Sequence, residues 1–156
     1  MKVEYINPFI ESSQSIINQT TGLSPILGKV YIKNAPYEGS DVLVLIGLIG
    51  DIKGSVVISL KNELACKIAS AMMSGMPVTE LNEIAKSAIS ELCNMILGNT
   101  ASIFYKNNIN IDITPPTVLT GENINLTPSK STVVCVPLHF NDDTIEIDIS
   151  YKENVK

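Results

Sequence analysis

Apolar residues recur along the chain at two periods, and the switches between them divide it into elements. Phe9, Ile10, Ser13, Ile16 and Ile17 follow one another at helical spacing. Asn7-Pro8 predicts the opening of that helix, with Asn as cap and Pro at the first helical position, and Thr20-Thr21-Gly22 predicts its end. Strand-like segments are expected near 26–33 and 41–49. A turn over Gly50-Asp51-Ile52-Lys53-Gly54 then leads into a strand over 55–60. A second helix is expected over 61–74, with Leu64, Ile68, Ala71 and Met72 inward, and Gly75 and Pro77 stop it. Thr79 is expected to cap a long third helix reaching about 104. Its apolar face is read as Leu81, Ile84, Ala85, Ala88, Leu92, Met95, Ile96 and Ile103.

After Asn107-Asn108 the pattern turns to strands over 109–113, 116–119, 132–140 and 144–152. In the last, Ile145, Ile147 and Ile149 alternate with Glu146, Asp148 and Ser150, the period of a half-buried strand. Asn141-Asp142-Asp143 is its hairpin turn. A faint repeat runs through this order. Each half reads helix, Pro-containing turn, strand, hairpin, and Asn7, Glu11 and Gln14 share the spacing of Ser87, Glu91 and Asn94. The expected fold is one α+β domain over 1–156, an antiparallel sheet with helices on one face and a pseudo-twofold repeat of helix plus strands.

Composition narrows the function classes. With 156 residues the chain can bury a substantial core. The longest apolar run, 42–49, is far short of the ~20 residues a spanning helix needs. The opening Met1-Lys2-Val3-Glu4-Tyr5 lacks the apolar stretch of a signal peptide, so a soluble, cytoplasmic protein without a membrane role is expected. The net charge is −5 and no Arg is present, which argues against nucleic acid and removes the bidentate phosphate clamp. Cys66, Cys93 and Cys135 are widely spaced and form no zinc pattern, so they are read as small buried hydrophobes.

The chemistry gathers on the third helix. At 100° per residue, Ser87, Glu91, Asn94 and Gly98 fall at roughly 0°, 40°, −20° and 20°, one narrow stripe, with the apolar face centred roughly 110° away. The stripe joins a carboxylate, a carboxamide and a glycine that leaves room for something to approach. The pattern is short enough to arise by chance, and ordinary solubilising residues could produce it. His139, on a strand beside Val136, Leu138 and Phe140, is read as a surface residue. Asp142 and Asp143 are read as turn residues rather than metal ligands.

The chain resembles the CheC/CheX/FliY phosphatases of bacterial chemotaxis, and most closely the CheX branch. The resemblance rests on Ser87-x-x-x-Glu91-x-x-Asn94, on Pro115-Pro116 about twenty residues further, on the opening Val3-Glu4-Tyr5-Ile6-Asn7-Pro8-Phe9-Ile10, and on the element order. It implies hydrolysis of the aspartyl phosphate of a CheY-like response regulator. Asn94 would position the attacking water and Glu91 would pair with the regulator's Lys, with Ser87, Gly98 and Pro116 in support. The regulator would supply the Mg²⁺, the protein holding no metal of its own, and a homodimer joined edge to edge through its sheets is expected. The alternative is a non-catalytic module that sequesters a phosphorylated receiver domain or serves in a flagellar switch complex.

Overall fold

Two interlocked halves make one eight-stranded sheet in the computed structural model, which describes residues 2–128 and 132–153. The first half runs α1 (Val3–Thr21), β1 (Ile26–Leu27), β2 (Tyr31–Asn34), β3 (Tyr37–Glu38), β4 (Val42–Gly50) and β5 (Ile52–Leu60). The second repeats that order as α3 (Glu83–Lys106), β6 (Ile111–Ile113), β7 (Thr117–Thr120), β8 (Asn125–Leu126), β9 (Thr132–Phe140) and β10 (Asp143–Glu153). Helix α2 (Asn62–Met72) joins them and has no counterpart. The short strands of each half pair with the long hairpin of the other, β1 and β2 on β9, β6 and β7 on β4. At the centre β5 and β10 lie antiparallel, with Ile58 opposite Ile147. The α+β class, the antiparallel sheet and the repeat are as the pattern predicts.

The three helices cover one sheet face. Val44, Ile46, Val56, Ile58, Val136, Ile147 and Ile149 point into that core, against Phe9, Ile17, Leu64, Ile68, Leu97 and Phe104. Helix α1 packs directly on α3: Phe9 and Phe104 meet edge to face at 5.8 Å, and Asn99 donates to Ser12 Oγ at 3.1 Å. Because residue numbers rise along one helix as they fall along the other, the pair is antiparallel.

Several expected boundaries move. Helix α1 begins at Val3, so Asn7 is inside it and does not cap it. Pro8 lies one turn into the helix, where it forgoes one backbone bond. Burial of Ile6 and Phe9 on either side outweighs the preference of a residue before proline for extended backbone. Helix α3 is capped by Asn82, whose Oδ1 accepts from Ala85 N–H at 2.9 Å, and not by Thr79. Strands β4 and β5 continue through most of the expected Gly50–Gly54 turn, with Asp51 alone between them and Ile52 buried.

The far face of the sheet is also covered. In β10, Asp148 and Ser150 are 1% and 2% exposed, so this strand is buried on both sides at its middle. The β3–β8 ribbon lies over that face, and Tyr37 and Leu126 line a cavity with Leu45 and Val57. Beneath it, Lys33 Nζ reaches Glu146 Oε2 at 2.6 Å and Asp148 Oδ1 at 3.2 Å, and sits 4.8 Å from the Tyr37 ring centre. All three cysteines are free and buried, and burial pushes the Cys93 and Cys135 thiols up to about 12. Among the described residues no helix is long and apolar enough to cross a membrane.

Candidate functional site

Helix α3 holds its core contacts through Ala85, Ile89, Leu92, Cys93, Ile96, Leu97, Thr100 and Phe104. The mean direction of those eight lies roughly 160° from the Ser87–Glu91–Asn94–Gly98 stripe. The stripe therefore faces away from the core, further round than the expected 110°. Ser87 and Glu91 are exposed, and Asn94 and Gly98 are half-buried. Ile84 and Met95, expected in the apolar face, are instead 67% and 36% exposed and flank the stripe on one side. Their angular positions sit within roughly 40° of Glu91.

Among the described residues no hydrogen bond or ion pair engages the side chains of Ser87, Glu91 or Asn94. Several other polar groups on α3 and at its end bond within the chain. Lys86 pairs with Glu83 at 3.2 Å, Ser102 Oγ donates to the Gly98 carbonyl at 3.2 Å, and Asn107 donates to the Ile103 carbonyl at 3.2 Å. A carboxylate and a carboxamide separated by ~4.5 Å of helix rise are thus left open on this side of α3, with no bonded partner among the described residues. The carboxamide can donate and accept at once and does not titrate near neutral pH, so it can hold a water without changing charge.

Pro116 belongs to the link between β6 and β7, both of which pack against α3. That link is pinned at its start. Thr114 Oγ1 accepts from Gly47 N–H at 2.7 Å, and Thr114 N–H donates to the Gly47 carbonyl at 3.0 Å. A Cβ on Gly47 would come within 2.9 Å of Thr114 Cγ2, so the glycine permits this docking. Pro115 and Pro116 follow immediately, where fixed φ stiffens the chain.

The remaining candidates lie elsewhere. His139 is exposed, and its Nδ1 sits 2.9 Å from Thr144 Oγ1. Asn141 and Asp142 form the hairpin turn, while Asp143 opens β10 and accepts from Lys67 at 3.0 Å. One cluster carries no local signal in the sequence. Cys135, Glu146 and Asp148 bring three potential ligand atoms within 4.8 Å of one another, assembled from β9 and β10. The Lys33 ammonium from β2 already lies against both carboxylates and supplies the balancing positive charge.

A family model described as chemotaxis phosphatase CheX matches residues 42–139, which include α3 and the Glu91/Asn94 stripe. The chain is 33% identical to the CheY-P phosphatase CheX of Thermotoga maritima over 153 residues, 97% of this chain and 98% of that one. The chain belongs to the CheX family. A Borrelia burgdorferi CheX, solved in complex with CheY, BeF3 and Mg²⁺, superposes with a TM-score of 0.82 at 27% identity, covering 97% of this chain and 100% of that one. The CheX of Desulfovibrio desulfuricans superposes at 0.87 and 22% identity over 96% of this chain and 100% of that one, a likeness of fold. The family model leaves out α1, whereas the curated relative and both structures cover 96–97% of the chain and so include both halves of the pseudo-repeat.

Proposed function

We propose that this CheX-family protein hydrolyses the aspartyl phosphate of a CheY-like response regulator from the exposed face of α3. The observation that carries the reading is the unpaired Glu91/Asn94 set on the side of α3 turned from the core, in a chain of this family. Such a face is built to be completed by another molecule.

The chemistry asks little of the phosphatase. An acyl phosphate is already activated, so water can displace the carboxylate directly. The water oxygen bonds to phosphorus as the P–O bond to the acyl oxygen breaks. The regulator's aspartate leaves with the electron pair, and the water's proton passes to phosphate or solvent. What remains is to hold that water in line, which is where positioning yields its largest gains. Asn94 performs this: its amide oxygen accepts from the water, fixing the lone pair toward phosphorus. Glu91 pairs with the regulator's active-site Lys, which fixes the register of the two proteins. Ser87, one turn before Glu91, and Pro116, in the link beside the helix, support the docking surface. The regulator brings the Mg²⁺ that balances the phosphoryl charge, and this chain supplies no ligand to it.

A regulator phosphorylated with acetyl phosphate in Mg²⁺ tests the reading. Substoichiometric protein should release phosphate over many turnovers. Protection of the phosphoryl group, with decay slowed in proportion to added protein, is the signature of a sequestering module and would reject catalysis.

A further inference from the structure

Gly98 is a glycine that this chain does not need for itself. It lies inside the 24-residue helix α3, and its φ is not in the left-handed region. A Cβ placed on it would meet nothing within 4 Å. Gly22 and Gly75, which follow the ends of α1 and α2, have φ of +75° and +84°, and Gly28, Gly39 and Gly47 admit a neighbour too close for a side chain. At Gly98 neither reason applies. Glycine in a helix interior is nevertheless less favourable than alanine, because more backbone freedom is lost on folding. The pseudo-equivalent position in α1 is Asn18, which keeps a side chain and bonds it to Ser24 Oγ at 3.0 Å.

The position is also particular. Gly98 follows Asn94 by four residues, so it lies one turn along the helix on the same stripe, ~6 Å further. Exposed Met95 and Ile84 flank that stripe, apolar surface left uncovered by this chain. A cost with no return inside the molecule, next to the group assigned to hold water, is explained by a partner that comes very close.

We propose that Gly98 is a clearance position: the backbone beside the regulator's phosphorylated aspartate packs against α3 there. The missing Cβ lets the two chains close until the Asn94 amide reaches the water on phosphorus. Gly98 touches no reacting atom; it sets the distance at which Asn94 works. This rests on the proposed phosphatase reading.

Gly98→Ala and Gly98→Leu separate the two roles a glycine can have. With clearance as its role, Gly98→Ala raises the melting temperature of the free protein by about 2–4 °C. The same substitution lowers kcat/KM toward acetyl-phosphate-loaded CheY-like regulator by about 10- to 100-fold. Gly98→Leu, larger but still folded by circular dichroism, lowers it further, and in an Asn94→Ala background it weakens binding of the BeF3-loaded regulator. Wild-type kcat/KM in both Gly98 variants would overturn the inference while leaving the phosphatase reading intact. A lower melting temperature for Gly98→Ala would overturn it by giving the glycine a role in this chain's own fold. A wild-type protein that never accelerates dephosphorylation would overturn the phosphatase reading, and the inference with it.

Discussion

At the residue scale, charge decides which groups serve the fold and which serve a partner. Glu91 is a carboxylate with no cation near it among the described residues, whereas Glu146 and Asp148 are gripped by Lys33. Glu91→Ala should therefore leave stability unchanged and weaken binding of the phosphorylated regulator by ~2 kcal/mol, read by titration calorimetry. Equal affinity for the two proteins would reject Glu91 as the docking group. Lys33 should behave in the opposite way. Burial lowers the pKa of its ammonium, but the bond to Glu146 and the charge of Asp148 raise it overall. Burial likewise holds the Asp148 carboxyl above its usual range, with Lys33 pulling it back. A raised carboxyl pKa means that Asp148's contribution to stability is complete below about 3.8 and is lost as pH rises through the folded value. Lys33 offsets that loss, and its own contribution fades only as pH climbs past 10.5. Lys33→Met should cost about 3–5 kcal/mol at neutral pH by stranding a buried carboxylate. The deficit should narrow on acidification toward pH ~4 as Asp148 takes up a proton, and Asp148→Asn should recover most of it. Urea unfolding at the two pH values checks this, and a deficit independent of pH would contradict it.

At the scale of the element, the helices were legible as helices and imperfectly legible as faces. The apolar face expected for the third helix takes in Ile84 and Met95 but leaves out Ile89, Cys93, Leu97 and Phe104. Ile89, Cys93, Leu97 and Phe104 define the true buried stripe, and weighting them turns the face away from Glu91. The start of the first helix is set by burial rather than by local preference. Asn7-Pro8 reads as a cap and first turn, yet burial of Ile6 starts the helix at Val3. Asn7, Glu11 and Gln14 therefore share one continuous helical stripe, but the contacts of α1 argue against a second site there. The Gln14 amide donates to the Pro25 carbonyl at 3.4 Å, and Asn18 stands where α3 has Gly98. Asn7 and Glu11 face Ile103 and Asn107 across a cleft between α1 and the end of α3. A Glu11→Ala/Gln14→Ala double variant should keep most phosphatase activity. Complete loss in a protein still folded by circular dichroism would place a second active site on α1.

At the scale of the whole molecule, the α+β class and the helix-plus-strands repeat were readable because period-two and period-3.6 patterns alternate cleanly. The β3–β8 ribbon was not, since two-residue strands carry no periodicity, and neither was the Lys33 cluster, which only the pairing of β2, β9 and β10 brings together. The sheet also has two unequal edges. Among the described residues β1 and β2 pair only with β9, and Ile26, Tyr31 and Ile32 there are 71%, 40% and 64% exposed. An apolar edge with free backbone groups favours strand pairing with a second copy. Sedimentation at micromolar concentration should find twice the 16.9 kDa chain mass, and Ile32→Lys should shift it to the monomer; a wild-type monomer would reject this interface. Phosphate release from the phosphorylated regulator, compared for wild-type and Asn94→Ala protein, reads the role of Asn94 itself. Trace wild-type protein should hasten the decay of phosphorylated CheY-like regulator many-fold, while Asn94→Ala should bind the regulator with near wild-type affinity and leave its decay at the spontaneous rate. Turnover by Asn94→Ala equal to wild type would show that Asn94 does not hold the attacking water.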